Sequence, residues 1–322
     1  MISSPATAPT AAPPAAETSD PLPIFSRADP HPVTCADGTC LRVSTRGEGP
    51  AVVCIPGCCG SAMSYVDAAG RFVDAGYRVL APDMRGYGQS DKPDSGPTDG
   101  GTQGIGYDAA ALAGDIRAVL QHFDIRAAHV IGHDMGAPVA LRFAFDFPER
   151  TLSVTYVDEP LIGFNSTPMT AFSVEAHGGF WQFGLNYAPG IPETLYTGHG
   201  EQFLRQITDV MTYSDEGLSD ERIRYHALGL DTPAGVSGWV GWYRAVDRTA
   251  EQMHEIADAG GIDTPLLALA GGAGGVAAVP DQMGPCAKDV RGELLDDCGH
   301  LVMEERPEAF ARRVLRFFDE IA

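Results

Sequence analysis

Six short apolar runs recur along the chain with helical patterns between them, and that alternation narrows the fold more than any other feature. The runs are Ala51–Ile55, Arg78–Pro82, Ala128–Gly132, Leu152–Val157, Pro265–Ala270 and Gly292–Leu295. Helical patterns fall at Tyr65–Ala75, Tyr107–His122, Gly136–Phe147, Pro280–Val290 and Pro307–Ile321. Strands alternating with helices in this way predict an α/β domain built on a mostly parallel sheet. Apolar positions recur at helical spacing from Asp108 to Val119, and Pro307 stands suitably at a helix start.

The rhythm breaks from about Leu161 to Asp258, a stretch rich in Phe, Trp, Tyr, Gly and Pro with weaker helical patterns. Residues 161–258 are therefore expected to form an inserted helical lid, with 23–160 and 259–322 as the core. A lid over the strand ends would exclude water and shape an apolar pocket. Residues 1–22 are dominated by Ala, Pro, Thr and Ser, with no basic start and no continuous apolar stretch. Such an arm does not resemble a secretory signal and is expected to be disordered, because it buries too little apolar surface to offset its ordering entropy.

Charge excludes several classes of partner. Lys and Arg total 22 against 43 Asp and Glu, a formal net charge of −21. Phosphate backbones and anionic lipid surfaces are repelled by such a chain, so neither nucleic acid nor membrane is expected as a partner. A small neutral apolar substrate suits it better. No apolar run approaches the roughly 20 residues that a membrane span requires. The seven cysteines form neither a paired framework nor a zinc pattern, which predicts reduced thiols in a cytoplasmic protein. Neither cofactor nor metal is expected. A homodimer remains an open possibility.

Chemistry concentrates at Gly132-His133-Asp134-Met135-Gly136, which joins an apolar strand to a helix. This is the Gly-x-nucleophile-x-Gly pattern of a sharp strand-to-helix turn, with Asp134 at the position that hydrolases more often give to serine. The turn lifts one side chain above the sheet, and the N-terminus of the following helix stabilises its charge. A carboxylate there attacks an sp³ carbon by displacement and leaves an ester for water to cleave. Asp134 thus points to epoxides or alkyl halides rather than simple esters. The bland alternative is an aspartate capping the helix.

The motif resembles that of the epoxide hydrolases and haloalkane dehalogenases of the α/β-hydrolase fold. So do the loop Ala81-Pro82-Asp83-Met84-Arg85-Gly86-Tyr87-Gly88-Gln89-Ser90-Asp91-Lys92-Pro93 and the late segment Asp297-Cys298-Gly299-His300 with Glu304 and Pro307. Together they cover the chain from about residue 38 to its end. The resemblance implies His300 as the general base that activates water. Many relatives place the acid that orients this base after the strand here at Pro265–Ala270, but Gly271-Gly272-Ala273-Gly274-Gly275 follows it and no carboxylate occurs until Asp281. Another branch, the fluoroacetate dehalogenases and Cif-like epoxide hydrolases, carries the acid 24 residues after the nucleophile, which is position 158 (134 + 24). Asp158 in Val157-Asp158-Glu159-Pro160 is the choice, Glu159 serves if the turn is shifted by one, and Asp281 comes third. The glycine-rich loop also resembles the Cif-like branch; it lacks the lysine of a phosphate-binding loop.

Relatives usually carry His-Gly after the strand that here ends at Ile55; this chain has Pro56-Gly57-Cys58-Cys59. The backbone N–H groups of Cys58 and Met135 are the expected oxyanion donors. As nucleophiles, Cys58 and Cys59 have no base beside them in sequence, which favours packed small residues. Gly241-Trp242-Tyr243-Arg244 resembles the segment in which epoxide hydrolases carry a ring-opening tyrosine, here Tyr243. Trp181 aligns with the second ring-opening donor, yet an indole does not readily supply a proton. His177 lies near enough in sequence to substitute, and Gln182 and Trp242 complete the expected pocket.

Where fluoroacetate dehalogenases carry substrate-binding arginines, Met135 and Pro138 stand instead. That argues against a haloacid and leaves three readings: an epoxide hydrolase first, a dehalogenase using the same nucleophile second, and a non-catalytic binding protein third. Pro56 and Trp181 are the features that favour the last.

Overall fold

The computed structural model describes residues 30–96, 106–164, 181–214, 217–274 and 279–322. The Ala/Pro-rich arm at 1–22 and His177 lie outside the described residues. Eight strands make one sheet: β1 (His31–Thr34), β2 (Cys40–Arg46), β3 (Ala51–Ile55), β4 (Arg78–Asp83), β5 (Ala128–His133), β6 (Thr151–Val157), β7 (Leu266–Gly271) and β8 (Val290–Leu295), in the order β1-β2-β4-β3-β5-β6-β7-β8. β1 and β2 pair antiparallel with each other and β2 pairs antiparallel with β4, whereas β3 to β8 run parallel. All six expected strands form. The leading antiparallel pair goes beyond the sequence expectation, since β1 has only four residues, includes Pro32 and buries Val33 alone.

Helices α1 (Val66–Asp74), α2 (Ala109–His122) and α3 (Gly136–Asp146) alternate with these strands. Between β6 and β7 lie α4 (Trp181–Tyr187), α5 (Ile191–Tyr196), α6 (Gly200–Met211), α7 (Asp220–His226), α8 (Pro233–Trp239), α9 (Gly241–Arg244) and α10 (Val246–Asp258). Three more follow: α11 (Val279–Gln282), α12 (Val302–Glu305) and α13 (Pro307–Glu320). One apolar layer is closed by α1 and α13 through Phe72, Phe310 and Phe318. The other is closed by α2, α3 and α10. Helix α2 begins where Asp108 caps it, its carboxylate accepting the Ala111 N–H at 3.3 Å.

One predicted helix does not form. Of Pro280–Val290, only the first residues belong to a short helix, α11, which stops at Gln282. Gly284 and Pro285 interrupt the pattern, since proline offers no N–H and glycine disfavours the helix. The chain instead runs beside Ile262 as an isolated parallel bridge, Ile262 N–H to Cys286 O at 2.9 Å and Lys288 N–H to Ile262 O at 3.1 Å. All seven cysteines are unpaired. No helix among the described residues is long and apolar enough to cross a membrane.

Candidate active site

The parallel strands bring three loops together at one sheet edge. β5 pairs with β6 in a register that sets Gly132 against Tyr156 and His133 against Val157, so the residues following each strand are neighbours. Asp134 follows β5 and Asp158 follows β6, both with φ of 50°, the left-handed region that costs a residue with a Cβ. Backbone bonds hold both turns: Asp134 N–H to Val157 O at 3.0 Å, and Asp158 N–H to Leu269 O at 2.9 Å. The bend before Asp134 requires glycine, because a Cβ on Gly132 would lie 2.2 Å from the Gly136 carbonyl oxygen.

Within this frame His300 links the two carboxylates. Its Nδ1 lies 2.7 Å from Asp158 Oδ2 and its Nε2 lies 3.2 Å from Asp134 Oδ2. Asp158 Oδ1 accepts the Gly271 N–H at 2.7 Å, so both of its oxygens are used. Of the three candidate acids, Asp158 is the one bonded to His300. Glu159 is buried beside it without a bond to His300 among those described, and Asp281 is exposed on α11. The His300 loop is itself fastened: its N–H donates to Met211 O at 2.8 Å, and Glu305 accepts the N–H groups of Gly299 and Leu301, each at 3.0 Å.

The two oxygens of Asp134 have different surroundings. Oδ1 accepts the Cys58 N–H at 2.7 Å, and the Met135 N–H also donates to this carboxylate. Oδ2 faces the imidazole. Close approach of the Cys58 loop depends on Gly57, where a Cβ would lie 2.5 Å from Asp134 Oδ1. Pro56 does not spoil this loop, which a Gly60 N–H to Gly57 O bond of 3.2 Å and the Ser61 hydroxyl on the Met63 N–H hold in shape.

Electrostatics follow from this packing. Burial alone would lower the His300 pKa, but bonds from Asp134 and Asp158 outweigh it and hold the imidazole well above its ordinary value. Burial would raise Asp134, yet the His300 bond and charge, His133 and the Met135 N–H bring it below the usual carboxylate range. Both directions favour the charged forms, imidazolium and carboxylate. His133, its Nε2 2.8 Å from the His300 carbonyl oxygen, is pushed down by burial and by the neighbouring charge.

Over these groups stands Tyr243 of α9, 3% exposed, with the Phe183 ring edge-on at 5.2 Å and Trp239 at 6.0 Å. Burial, then Cys58, Cys59 and Asp134, push its phenol well above the ordinary value. Cys58 and Cys59 are buried and their thiols raised by the same cause, which fits packing rather than nucleophilic use. Trp242 is buried with its ring 5.4 Å from Tyr87. Trp181 is 42% exposed at the start of α4 and Gln182 is half-buried; Phe183, two residues on, is the one against Tyr243. Tyr87 was missed by sequence reasoning. Its hydroxyl donates to Trp239 O at 2.8 Å and stands 3.2 Å from Cys58 Sγ, tying the Cys58 loop to α8. Its place in the Arg85-Gly86-Tyr87-Gly88 loop was the available signal. Among the described residues no cluster of three or more His, Cys, Asp or Glu is placed to hold a metal ion.

Residues 50–307 match the family described as alpha/beta hydrolase fold. The chain belongs to that family. Within the α/β-hydrolase family it is similar to the soluble epoxide hydrolase of Corynebacterium sp. (strain C12), 26% identical over 75% of this chain and 81% of the relative. Epoxide hydrolase A of Mycobacterium tuberculosis is 27% identical over 87% of this chain and 94% of its own. The crystal structure of epoxide hydrolase A from Mycobacterium thermoresistibile superposes with a TM-score of 0.73 at 28% identity, covering 90% of this α/β-hydrolase chain and 97% of the other.

Proposed function

We propose that this chain opens a small neutral apolar epoxide to a vicinal diol through an ester on Asp134. The observation that carries the reading is the division of the Asp134 carboxylate, Oδ1 on the Cys58 N–H at 2.7 Å and Oδ2 toward His300. Oδ2 attacks the epoxide carbon while Tyr243 hydrogen-bonds the oxygen on which charge appears. Once esterified, Asp134 has lost its charge, and the imidazole loses one of the two anions that kept it protonated. Its pKa falls, so a group resting as an acid becomes a base at the moment a base is required. His300, oriented by Asp158, then takes a proton from water, and the Cys58 and Met135 N–H groups receive the oxyanion formed on Oδ1.

Relatives named as epoxide hydrolases support this reading. A second reading, a neutral alkyl halide as substrate, is favoured by the indole N–H groups of Trp239 and Trp242, buried and unpartnered among the described residues. Such groups suit a leaving halide. One experiment separates the two: diol and halide release are followed in parallel over panels of both substrates. His300→Gln should in addition trap the ester, gaining substrate mass on the intact protein. Release of neither product with no mass gain overturns covalent catalysis and leaves a binding protein on this fold.

A further inference from the structure

One carboxylate outside the reacting set is wrapped around the base. Glu305 ends α12, a single turn that begins two residues after His300. Its own N–H donates to Leu301 O at 2.9 Å, which folds the side chain back onto the loop it follows. Oε1 accepts the Leu301 N–H and Oε2 the Gly299 N–H, each at 3.0 Å, so the residues on either side of His300 share one acceptor group. Oε2 also accepts the Tyr213 N–H at 2.7 Å, from the chain just beyond α6 in the inserted region.

His300 completes this joint through its own N–H, which donates to Met211 O at the end of α6 at 2.8 Å. The fit is close. A Cβ on Gly299 would lie 2.5 Å from Met211 O, 2.7 Å from the Tyr213 nitrogen and 2.8 Å from Glu305 Oε1. These bonds bypass Asp134, whose supports are Val157 O and the N–H groups of Cys58 and Met135.

We propose that Glu305 is the positioning residue of the hydrolytic base: it fixes the His300 loop to the end of α6, and so sets the rate of ester hydrolysis without touching ring opening. The proposal rests on the epoxide reading above and deepens it. A charged acceptor suits the task, since hydrogen bonds to a carboxylate are roughly twice as strong as neutral ones. On its other side the His300 carbonyl oxygen accepts from His133 Nε2 at 2.8 Å, so the backbone of the base is gripped from both directions. The imidazole needs that grip. Its Nδ1 is close to Asp158 at 2.7 Å, but the reacting Nε2 stands 3.2 Å from Asp134 Oδ2 and must share one water with the ester carbon. Misplacement by about 1 Å can cost about 10²-fold in rate. Ring opening asks only for an ionised Asp134, and the donors on its Oδ1 lie outside this joint.

The test separates ester formation from ester decay in a single turnover. Excess protein is mixed with styrene oxide at mildly alkaline pH, where Asp134 stays ionised, then quenched at intervals and weighed intact. Glu305→Gln keeps one acceptor oxygen but turns an NH₂ toward a backbone donor. It should gain the substrate mass at the parental rate and lose it about 10²-fold more slowly. Gly299→Ala keeps the Glu305 charge yet crowds Met211 O and the Tyr213 N–H, and should show the same split. In both variants the His300 titration read by NMR should fall toward its ordinary value as the ring draws away from Asp134 and Asp158. Parental decay in either folded variant overturns the proposal. So does equal slowing of both phases, which marks a general loss of packing. Should Glu305→Gln fail to fold, Gly299→Ala decides. A parent that never gains mass overturns the epoxide reading instead; the NMR titration then decides alone, and an imidazole unmoved in both variants overturns the positioning role as well.

Discussion

The sheet edge and the helices inserted between β6 and β7 hold their side chains in contrasting ways. At the edge, Asp134 and Asp158 sit one residue beyond paired strands, with backbone bonds of 3.0 and 2.9 Å fixing each turn. Above it, Tyr243 rides on α9, a helix of four residues, next to α8 of seven. Helices this short supply little stability of their own and depend on packing and side-chain bonds. Here those bonds come from Arg244 of α9, which donates to Glu193 at 2.7 Å and to Ser95 at 2.9 Å. Asp134 and Asp158 are thus placed by backbone hydrogen bonds and the His300 loop by the Glu305 carboxylate, while Tyr243 rides on short helices held by side-chain bonds such as Arg244 to Glu193.

Substitution on each side sharpens that contrast. Asp134→Asn removes the attacking oxygen's charge and should lower turnover by about four orders of magnitude or more, with the thermal unfolding midpoint little changed. The same substitution deletes an anion beside His300, so the imidazole titration read by NMR should move down toward its ordinary value. An Asp134→Asn protein whose His300 still titrates high would mean that Asp158 alone sets that pKa. Tyr243→Phe touches only the inserted side and should slow ring opening by about 10² to 10³, measured as the alkylation rate in a His300→Gln background. Ester hydrolysis should not change, because the phenol has no role once the ring is open. A comparable loss in both steps would show that α9 also positions the hydrolytic water.

How much of this the sequence discloses differs between the same two regions. The apolar runs marked six strands, most plainly where the strand is fully buried, as at Ala51–Ile55 and Leu266–Gly271, and least so at the partly exposed Val290–Leu295. Gly132-His133-Asp134-Met135-Gly136 was legible because steric demand at a tight bend fixes residue types locally. Asp158 was readable only through its spacing from Asp134, since its turn carries no flanking glycines and Glu159 offered the same chemistry one residue later. What separated them was His300 Nδ1, 2.7 Å from Asp158 Oδ2, a contact between residues 142 positions apart. Tyr87 and Met211 act through long-range contacts too, one by its hydroxyl and one by its carbonyl oxygen, and no local pattern marks either. Trp181, expected at the second donor position, is 42% exposed at the start of α4, and it is Phe183 whose ring packs against Tyr243.

The smallest effect is expected at the joint between the regions. Glu304 of α12 lies four residues after His300 and receives two side chains from α7, Arg222 at 3.4 Å and His226 at 3.7 Å. His226 Nδ1 also lies 2.8 Å from the Ser61 hydroxyl, in the loop that carries the Cys58 N–H. Burial opposes ionisation of Glu304, but His226 and Arg222 outweigh it and bring the pKa down to about 2. A carboxyl lowered on folding adds stability that is present above its unfolded value of about 4.3 and fades as pH falls through about 2. Glu304→Gln should therefore cost roughly 3 kcal/mol of unfolding free energy at neutral pH, read by urea denaturation, with the gap to the parent closing under acid. Arg222 keeps its second partner, Asp67, so the loss should stay below that of stranding a buried cation. Turnover should fall only a few-fold, roughly the effect of a slightly displaced support. A stability gap that persists unchanged to the acid limit would mean that Glu304 acts by shape alone, and that the two regions are joined by packing rather than by charge.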